Sequence, residues 1–406
     1  MTDDPGADSV SGRVSGRVSG RVSGRAADRP ADRAAGVRRG ALVATVAIAV
    51  FVALCGIGVV VLATVGGPAE VCADAPLDCR GVERLDGARV GFSPGSGFES
   101  GADPESDAAA MVAAGARWIR LDLDWSWVER TRGAPDWAAT DRAVDIAVRN
   151  GLRVLLLAAY TPEWARPRST TDKHPPQRLE DFAAFLTAAV RRYGDRVEAW
   201  ELWNEPNLAW FWAPRPDPAR FAALVRAGAA AIRAVDPDAV IVSGGVAPAS
   251  DAADGTTRAP EGFLTDVALA GGFATVDAVG LHPYSAPVRP GAPEPWNLFS
   301  RLRSVRDLVA RGAGRQIPLW LTEYGLPTGE NTNSVSERTQ AAGIVEAVTI
   351  AQRIEGVGPL FLYADRDRPD LSEAVDDGGG FGLRRANGRP RPAFGALRAV
   401  LRCPAS

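Results

Sequence analysis

From about Ala88 to Cys403 the chain alternates short β-rich runs with longer amphipathic stretches, and this alternation constrains its fold more than any other feature. The β-rich runs are 89–93, 117–123, 152–158, 197–203, 240–243, 277–282, 317–323 and 359–363. Between them lie helical patterns such as Leu179–Arg192, Pro218–Val235 and Ser336–Arg353. Strand and helix in strict turn is the pattern of a parallel sheet wrapped by helices. Repeated over 88–403, it predicts a (β/α)8 TIM barrel. The alternative, an open doubly wound sheet, is disfavoured because no Gly-x-Gly-x-x-Gly turn follows the first strand.

What precedes the barrel reads as three different materials. Residues 1–40 repeat Ser-Gly-Arg-Val between Ser11 and Gly24 and stay basic to Arg39, without apolar periodicity, so a disordered tail is expected. Residues 41–65 carry no charge and exceed the ~20 residues that a helix needs to cross a bilayer. Arg38 and Arg39 abut this run and no Lys or Arg closely follows it. The positive-inside rule therefore predicts one transmembrane helix with a cytoplasmic tail and an extracytoplasmic barrel. A cleaved signal peptide is the alternative, although secretory apolar cores usually run only about 7–15 residues. Cys55 is a poor lipid-attachment site, because bulky Leu54 precedes it. Residues 66–87 form a Pro/Asp/Ala-rich stalk. Cys72, Cys79 and Cys403 then face an oxidising compartment, where disulfides persist. Either stalk cysteine can meet Cys403, because a barrel brings its ends together, and a local Cys72–Cys79 bond competes.

A TIM barrel presents its chemistry at the C-terminal ends of the strands. The fourth run ends in Trp203-Asn204-Glu205-Pro206-Asn207 and the seventh in Thr322-Glu323-Tyr324-Gly325. Glu205 and Glu323 should thus reach one face from nearly opposite strands. The second run adds Arg120, and the sixth ends in His282-Pro283-Tyr284. Two carboxyls converging on one pocket suit glycoside hydrolysis: one is protonated to donate to the leaving oxygen, the other ionised to attack or to activate water. A net charge of −3 with scattered basic residues argues against nucleic acid as a partner. No nucleotide loop or His/Cys metal cluster is present, so neither cofactor nor metal is expected. His174 reads as structural or solvent-facing, and at least one of Asp122 and Asp124 as an internal salt-bridge partner, not a metal ligand.

These residues also resemble glycoside hydrolase clan A, most closely its families 39 and 5. The likeness rests on Asn204-Glu205-Pro206, the strand-7 glutamate, the stretches 175–182 and 192–207, and Tyr160 to Ala165 after strand 3. It continues through Phe381-Gly382-Leu383 and 389–394, and so covers roughly 88–402. The resemblance implies a retaining glycosidase, with Glu205 as general acid and then base and Glu323 as nucleophile. It further implies that Asn204 holds the sugar 2-hydroxyl, that Arg120 keeps Glu323 ionised and that Tyr284 orients it. His282 would sit against Glu205 or the sugar. Two departures stand out. The histidine that family 5 usually carries after strand 3 is missing, and strand 8 ends in Tyr363 where many clan members have a sugar-stacking Trp.

Sugars pack their C–H faces on aromatic rings, so the placement of the 11 tryptophans matters. Trp125, Trp127, Trp164 and Trp210 follow strands 2 to 4 and, with Tyr363, are candidate substrate contacts. Trp212 and Trp296 share such loops, while Trp118, Trp200 and Trp320 read as core. The expectation is a membrane-anchored monomer acting on a polysaccharide or oligosaccharide of the cell envelope or surrounding matrix. The competing expectation is a barrel that binds surface glycan without cleaving it. Protease added to intact cells should remove the barrel and spare the N-terminal tail; a freely secreted protein beginning after residue 65 would replace the anchor with a signal peptide.

Overall fold

The computed structural model describes residues 83–95, 98, 103–330, 332–368 and 380–403. The expected tail, the membrane segment 41–65 and most of the 66–87 stalk lie outside the described residues. Chain contacts separate a unit of residues 1–66 from one of 67–406, and the description that follows concerns the second. Among the described residues no helix is long and apolar enough to cross a membrane.

Eight parallel strands close into a barrel in chain order. They are β1 (Val90–Phe92), β2 (Trp118–Asp124), β3 (Arg153–Ala159), β4 (Ala199–Asn204), β5 (Val240–Val246), β6 (Ala278–Leu281), β7 (Leu319–Tyr324) and β8 (Val357–Leu362). Each overlaps a run read from the sequence. The helices around them are α1 (Pro104–Ala114), the short α2 (Trp125–Val128), α3 (Ala138–Arg149), α4 (Leu179–Tyr193) and α5 (Pro218–Arg233). There follow α6 (Pro260–Leu269), α7 (Leu302–Ala313), α8 (Glu337–Arg353) and α9 (Pro392–Arg402).

Helix starts follow from local chemistry. Asp103 and Asp217 each precede a proline in the first turn, and each side chain accepts the backbone N–H three residues on, from Ser106 and Arg220. Asp satisfies an orphan donor there, and Pro lacks one that would otherwise be unpaired. Helix α4 buries Phe182, Phe185, Leu186, Ala189, Val190 and Tyr193, a spacing of three and four that puts them all on the sheet side.

Inside the barrel, the end away from the strand C-termini is plugged by Trp118, Leu155, Ala199, Val242, Ala278, Trp320 and Phe361. The Trp118 ring meets Trp320 edge-on at 5.4 Å and Phe361 at 6.1 Å. Such bulk fits because β1 offers no side chain here: a Cβ on Gly91 would lie 2.6 Å from Trp118 Cβ. The larger hydrophobic core lies between strands and helices, and Trp200 belongs to it. Alternation along β2 carries the plug face upward from Trp118 to Arg120, Asp122 and Asp124.

Beyond β8 the chain is tied down by ion pairs. Arg384 Nη2 lies 2.7 Å from both Asp107 of α1 and Asp365, while Arg391 pairs with Asp367. This clamp fixes the segment that carries Tyr363 and Phe381. Cys403, buried at the end of α9, is disulfide-bonded; Cys55, Cys72 and Cys79 lie outside the described residues.

Candidate active site

The site grows from Arg120. Its guanidinium is enclosed above the aromatic plug, with Nε 2.5 Å from Glu201 Oε2 and Nη1 2.5 Å from Glu323 Oε1. Nη2 donates to Asn204 Oδ1 at 2.9 Å, and Nη1 also reaches Ser93 Oγ at 3.3 Å. With its oxygen held by Arg120, Asn204 has its amide N–H groups left to donate to a ligand.

Strand β4 delivers Asn204 and Glu205 through an unusual backbone. Trp203 has φ 77° and Glu205 φ 43°, left-handed values that cost energy for side chains with a Cβ. Packing enforces them. The Trp203 ring is wedged edge-on against Tyr160, Phe182 and Trp212, and its Nε1 donates to Phe211 O at 2.8 Å. Asn207 then staples the turn to the end of β5, donating to Ala247 O and Arg258 O and accepting from Ala247 N–H. The second asparagine of the motif is therefore structural.

His282, wholly buried after β6, bridges the two strand ends. Its Nδ1 lies 2.8 Å from Glu205 Oε1 and its Nε2 3.1 Å from Thr322 Oγ1. The hydrogen-bond inventory assigns its protons. Thr322 has one hydroxyl proton and gives it to Glu201 Oε1 at 2.9 Å, so Thr322 must accept from a protonated Nε2. Nδ1 and Glu205 are left to share a proton between them. Burial opposes charge on His282, but the charge of Glu323 and the hydrogen bond with Glu205 outweigh it and raise the imidazole pKa. Gly245 makes this fit possible, since a Cβ there would lie 2.1 Å from His282 Nε2.

Glu323 Oε2 accepts from Tyr284 Oη at 2.9 Å. Burial pushes the Glu323 carboxyl up, yet the charges of His282 and Arg120 and the hydrogen bonds from Tyr284 and Arg120 bring it below the ordinary value. The side chains of Glu205 and Glu323 are only 11% and 15% exposed, and oxygens of the two come within 4.8 Å of each other. Tyr363 borders the same space: burial and then the charge of Glu323 push its phenol up to about 12. Glu205, His282 and Glu323 together offer three metal-type donors. A cation there would have to break the His282–Glu205 hydrogen bond and sit beside the Arg120 guanidinium, so the donor set reads as an acid–base group.

The aromatic expectations divide. Trp127, in α2 just after β2, and Trp210, on the loop after β4, stand 65% and 58% exposed, and Trp296 is 48% exposed. Trp125 is corrected: it is fully buried, stacks on Phe185 and donates to Glu129 Oε2, so it cannot touch a ligand. Trp164 is half-buried and packs edge-on against Trp125, with its Nε1 on Glu129 O. Trp212 is buried between Trp203 and Phe221. Asp124 caps α2, accepting from Trp127 N–H and Ser126 Oγ. Sequence reasoning missed Glu201, Thr322, Gly245 and Phe381. A lone Glu201 inside an apolar strand was a usable signal, since buried carboxylates need a charged partner.

Residues 86–357 match the cellulase family, glycosyl hydrolase family 5. The chain belongs to that family. It is similar to the beta-xylosidase of Caldicellulosiruptor saccharolyticus, 27% identical over 286 residues that cover 64% of this chain and 55% of that protein. Likeness to the beta-xylosidase of Geobacillus stearothermophilus is 24% over 288 residues, 63% of this chain and 54% of the relative. The chain thus spans about half the length of these curated relatives. Among solved structures, a family 39 glycoside hydrolase from Bacteroides cellulosilyticus WH2 superposes with TM-score 0.60 at 25% identity, over 78% of this chain and 64% of that one. GH5_18 from Streptomyces cattleya shares the fold with TM-score 0.61 at 17% identity, over 79% and 80% of the two chains.

The electrostatics of Glu323 can be titrated directly. A carboxyl with a depressed folded pKa stabilises above its unfolded pKa and loses that contribution as pH falls through the folded value. Tyr284→Phe removes one stabilising hydrogen bond, so carbon-13 NMR should show Glu323 titrating at higher pH. Stability at pH 7 should fall by about 1 kcal/mol, a deficit that shrinks on acidification. An unmoved Glu323 titration would refute this account of its ionisation.

Proposed function

We propose that the chain is a retaining glycosidase that cleaves O-glycosidic bonds of an extracytoplasmic or cell-envelope polysaccharide by double displacement. The observation that carries the reading is the approach of Glu205 and Glu323 carboxyl oxygens to within 4.8 Å. Retaining enzymes hold their carboxyls roughly 5–5.5 Å apart, inverting ones about 6.5–9.5 Å, leaving room for water. The partners divide the roles. Glu323, between Arg120 and Tyr284, is held as the ionised nucleophile, and Glu205, sharing a proton with His282, is the acid and then the base.

In the first step a Glu323 oxygen attacks the anomeric carbon, the bond to the leaving oxygen breaks, and Glu205 gives that oxygen its proton. In the second, Glu205 takes a proton from water, whose oxygen displaces Glu323 from the same carbon. Asn204 donates to the sugar 2-hydroxyl, and the exposed Trp127 and Trp210 stack on the sugar chain beyond the cleaved bond. The similarity to beta-xylosidases favours a β-linked glycone. An uncharged run at 41–65 behind Arg38 and Arg39, and the disulfide-bonded state of Cys403, support a single-pass anchor with the barrel outside the cytoplasm.

Azide separates the two roles. Glu323→Ala should abolish turnover, and azide should restore reaction through the vacated space, giving the inverted glycosyl azide. Glu205→Ala should lose on the order of 10²–10⁴-fold on substrates with poor leaving groups. With good leaving groups it should accumulate the glycosyl-enzyme, which azide releases with retained configuration. Rescue of neither variant, with product formed by both, would remove these assignments.

A further inference from the structure

Glu201 is wholly buried within β4, the strand that leads into Glu205, and the two-step chemistry gives it no task. Three donors converge on it. Arg120 Nε meets its Oε2 at 2.5 Å, while Gly245 N–H and the Thr322 hydroxyl donate to Oε1 at 3.0 and 2.9 Å. An ion-paired carboxylate can only accept, so each neighbour must turn a proton toward it. For Thr322 this is a choice, because its one hydroxyl proton has two neighbours. The second is His282 Nε2, 3.1 Å away. With the proton aimed at Glu201, the hydroxyl offers His282 only lone pairs, and Nε2 has to donate.

The constraint passes through the ring, since the bond made by one imidazole nitrogen decides the state of the other. A neutral imidazole that carries its proton on Nε2 has its lone pair on Nδ1, 2.8 Å from Glu205 Oε1. A lone pair facing a bare carboxylate at that distance repels it, and the contact becomes attractive only with a proton inside it. The other neutral tautomer would supply this proton from Nδ1 and leave Glu205 ionised. It would also set an Nε2 lone pair against the Thr322 oxygen, whose proton is committed to Glu201. Glu201, Thr322 and His282 are all wholly buried, so solvent does not relieve that mismatch. Gly245 keeps the device in register, with its N–H on Glu201 and its C=O on Glu205 N–H.

We propose that Glu201 and Thr322 are positioning residues that load the acid. By excluding the Nδ1–H tautomer of neutral His282, they oblige the Glu205–His282 pair to hold the proton that the leaving oxygen receives. The assignment rests on the glycosidase reading given above. It also accounts for the return half of the cycle. Once Glu205 has given its proton to the leaving oxygen, the Nδ1 lone pair faces a carboxylate. Glu205 removes that repulsion by taking a proton from the water whose oxygen bonds to the anomeric carbon, and the starting pair is restored. No proton crosses Thr322 in either step; the hydroxyl only fixes which nitrogen of His282 donates.

The chain has only 2 histidines, so nitrogen-15 NMR of the histidine-labelled full chain reads this site directly. In the wild type, His282 Nε2 should carry a proton. An unprotonated Nε2 overturns the assignment, and that readout needs no substrate. Thr322→Val keeps the side-chain shape and leaves the Arg120–Glu201 pair in place, but it frees Nε2. Its His282 should shift toward the Nδ1–H tautomer. Its kcat/KM should fall about 10-fold on alkyl β-D-xylosides, whose leaving groups need a proton, and change little on dinitrophenyl β-D-xyloside. Thr322→Ser returns the hydroxyl and should restore both the tautomer and the activity on alkyl xylosides. Glu201→Gln, with its oxygen kept on Arg120 and its amide donating to Thr322, should shift the ring as Thr322→Val does; if it does not fold, the two Thr322 variants decide. Equal losses on every leaving group, or a wild-type tautomer in Thr322→Val, would overturn the positioning role and leave the glycosidase reading intact. Hydrolysis of no glycoside by the wild-type chain would overturn both.

Discussion

A guanidinium enclosed in a protein must use its donors, and Arg120 does so across four strands. Removing such an ion from water costs several kcal/mol, which only well-placed carboxylates and amides can offset. Glu201 from β4 and Glu323 from β7 both lie 2.5 Å away, Ser93 follows β1, and Asn204 closes the fork. One side chain thereby fixes the relative heights of the strand ends that carry both candidate catalytic carboxyls. A lysine could not substitute, because a single ammonium lacks the planar fork that meets partners on three sides. The aromatic plug beneath gives this layer a dry floor, and the mouth above it stays open to solvent.

Around that ion the backbone departs from regular strand geometry where regularity would aim side chains wrongly. The left-handed Trp203 and Glu205 turn two successive motif residues, Asn204 and Glu205, toward one pocket, whereas strict alternation would send one of them outward. Gly245 on the neighbouring strand allows the His282 ring to slide between β5 and β7. Strain of this kind persists only where packing over-determines it, and here a cluster of tryptophans and phenylalanines does so. The buried Trp212 and Phe182 thus serve the site without approaching a ligand.

Much of this was legible in the sequence because it depends on period and position. The eight runs follow from strand–helix alternation, and Arg120 within the second run, with Asn204, Glu205, His282, Tyr284 and Glu323 at or just beyond the ends of others, come together in the folded chain. What escaped depends on three-dimensional closure. Glu201 and Thr322 lie inside strands, and their role appears only when the barrel brings β2, β4, β6 and β7 around Arg120 and His282. Trp125 follows β2 just as Trp127 does, yet a short helical turn sends one ring into the core and the other into solvent. Adjacent positions on a single turn carry no sequence signal that distinguishes them. Phe381, set between Tyr284 and Tyr363, belongs to a segment positioned by ion pairs from α1, far away in sequence.

We propose that Glu323 attacks carbon directly, its oxygen lying within 4.8 Å of a Glu205 oxygen. Proton NMR of the sugar released in the first turnovers, before the anomers equilibrate, tests it most directly. A first-formed anomer with the configuration of the substrate is the predicted result. An anomer of opposite configuration would mean that water attacks in one step, and Glu323 would then be a base and not the nucleophile.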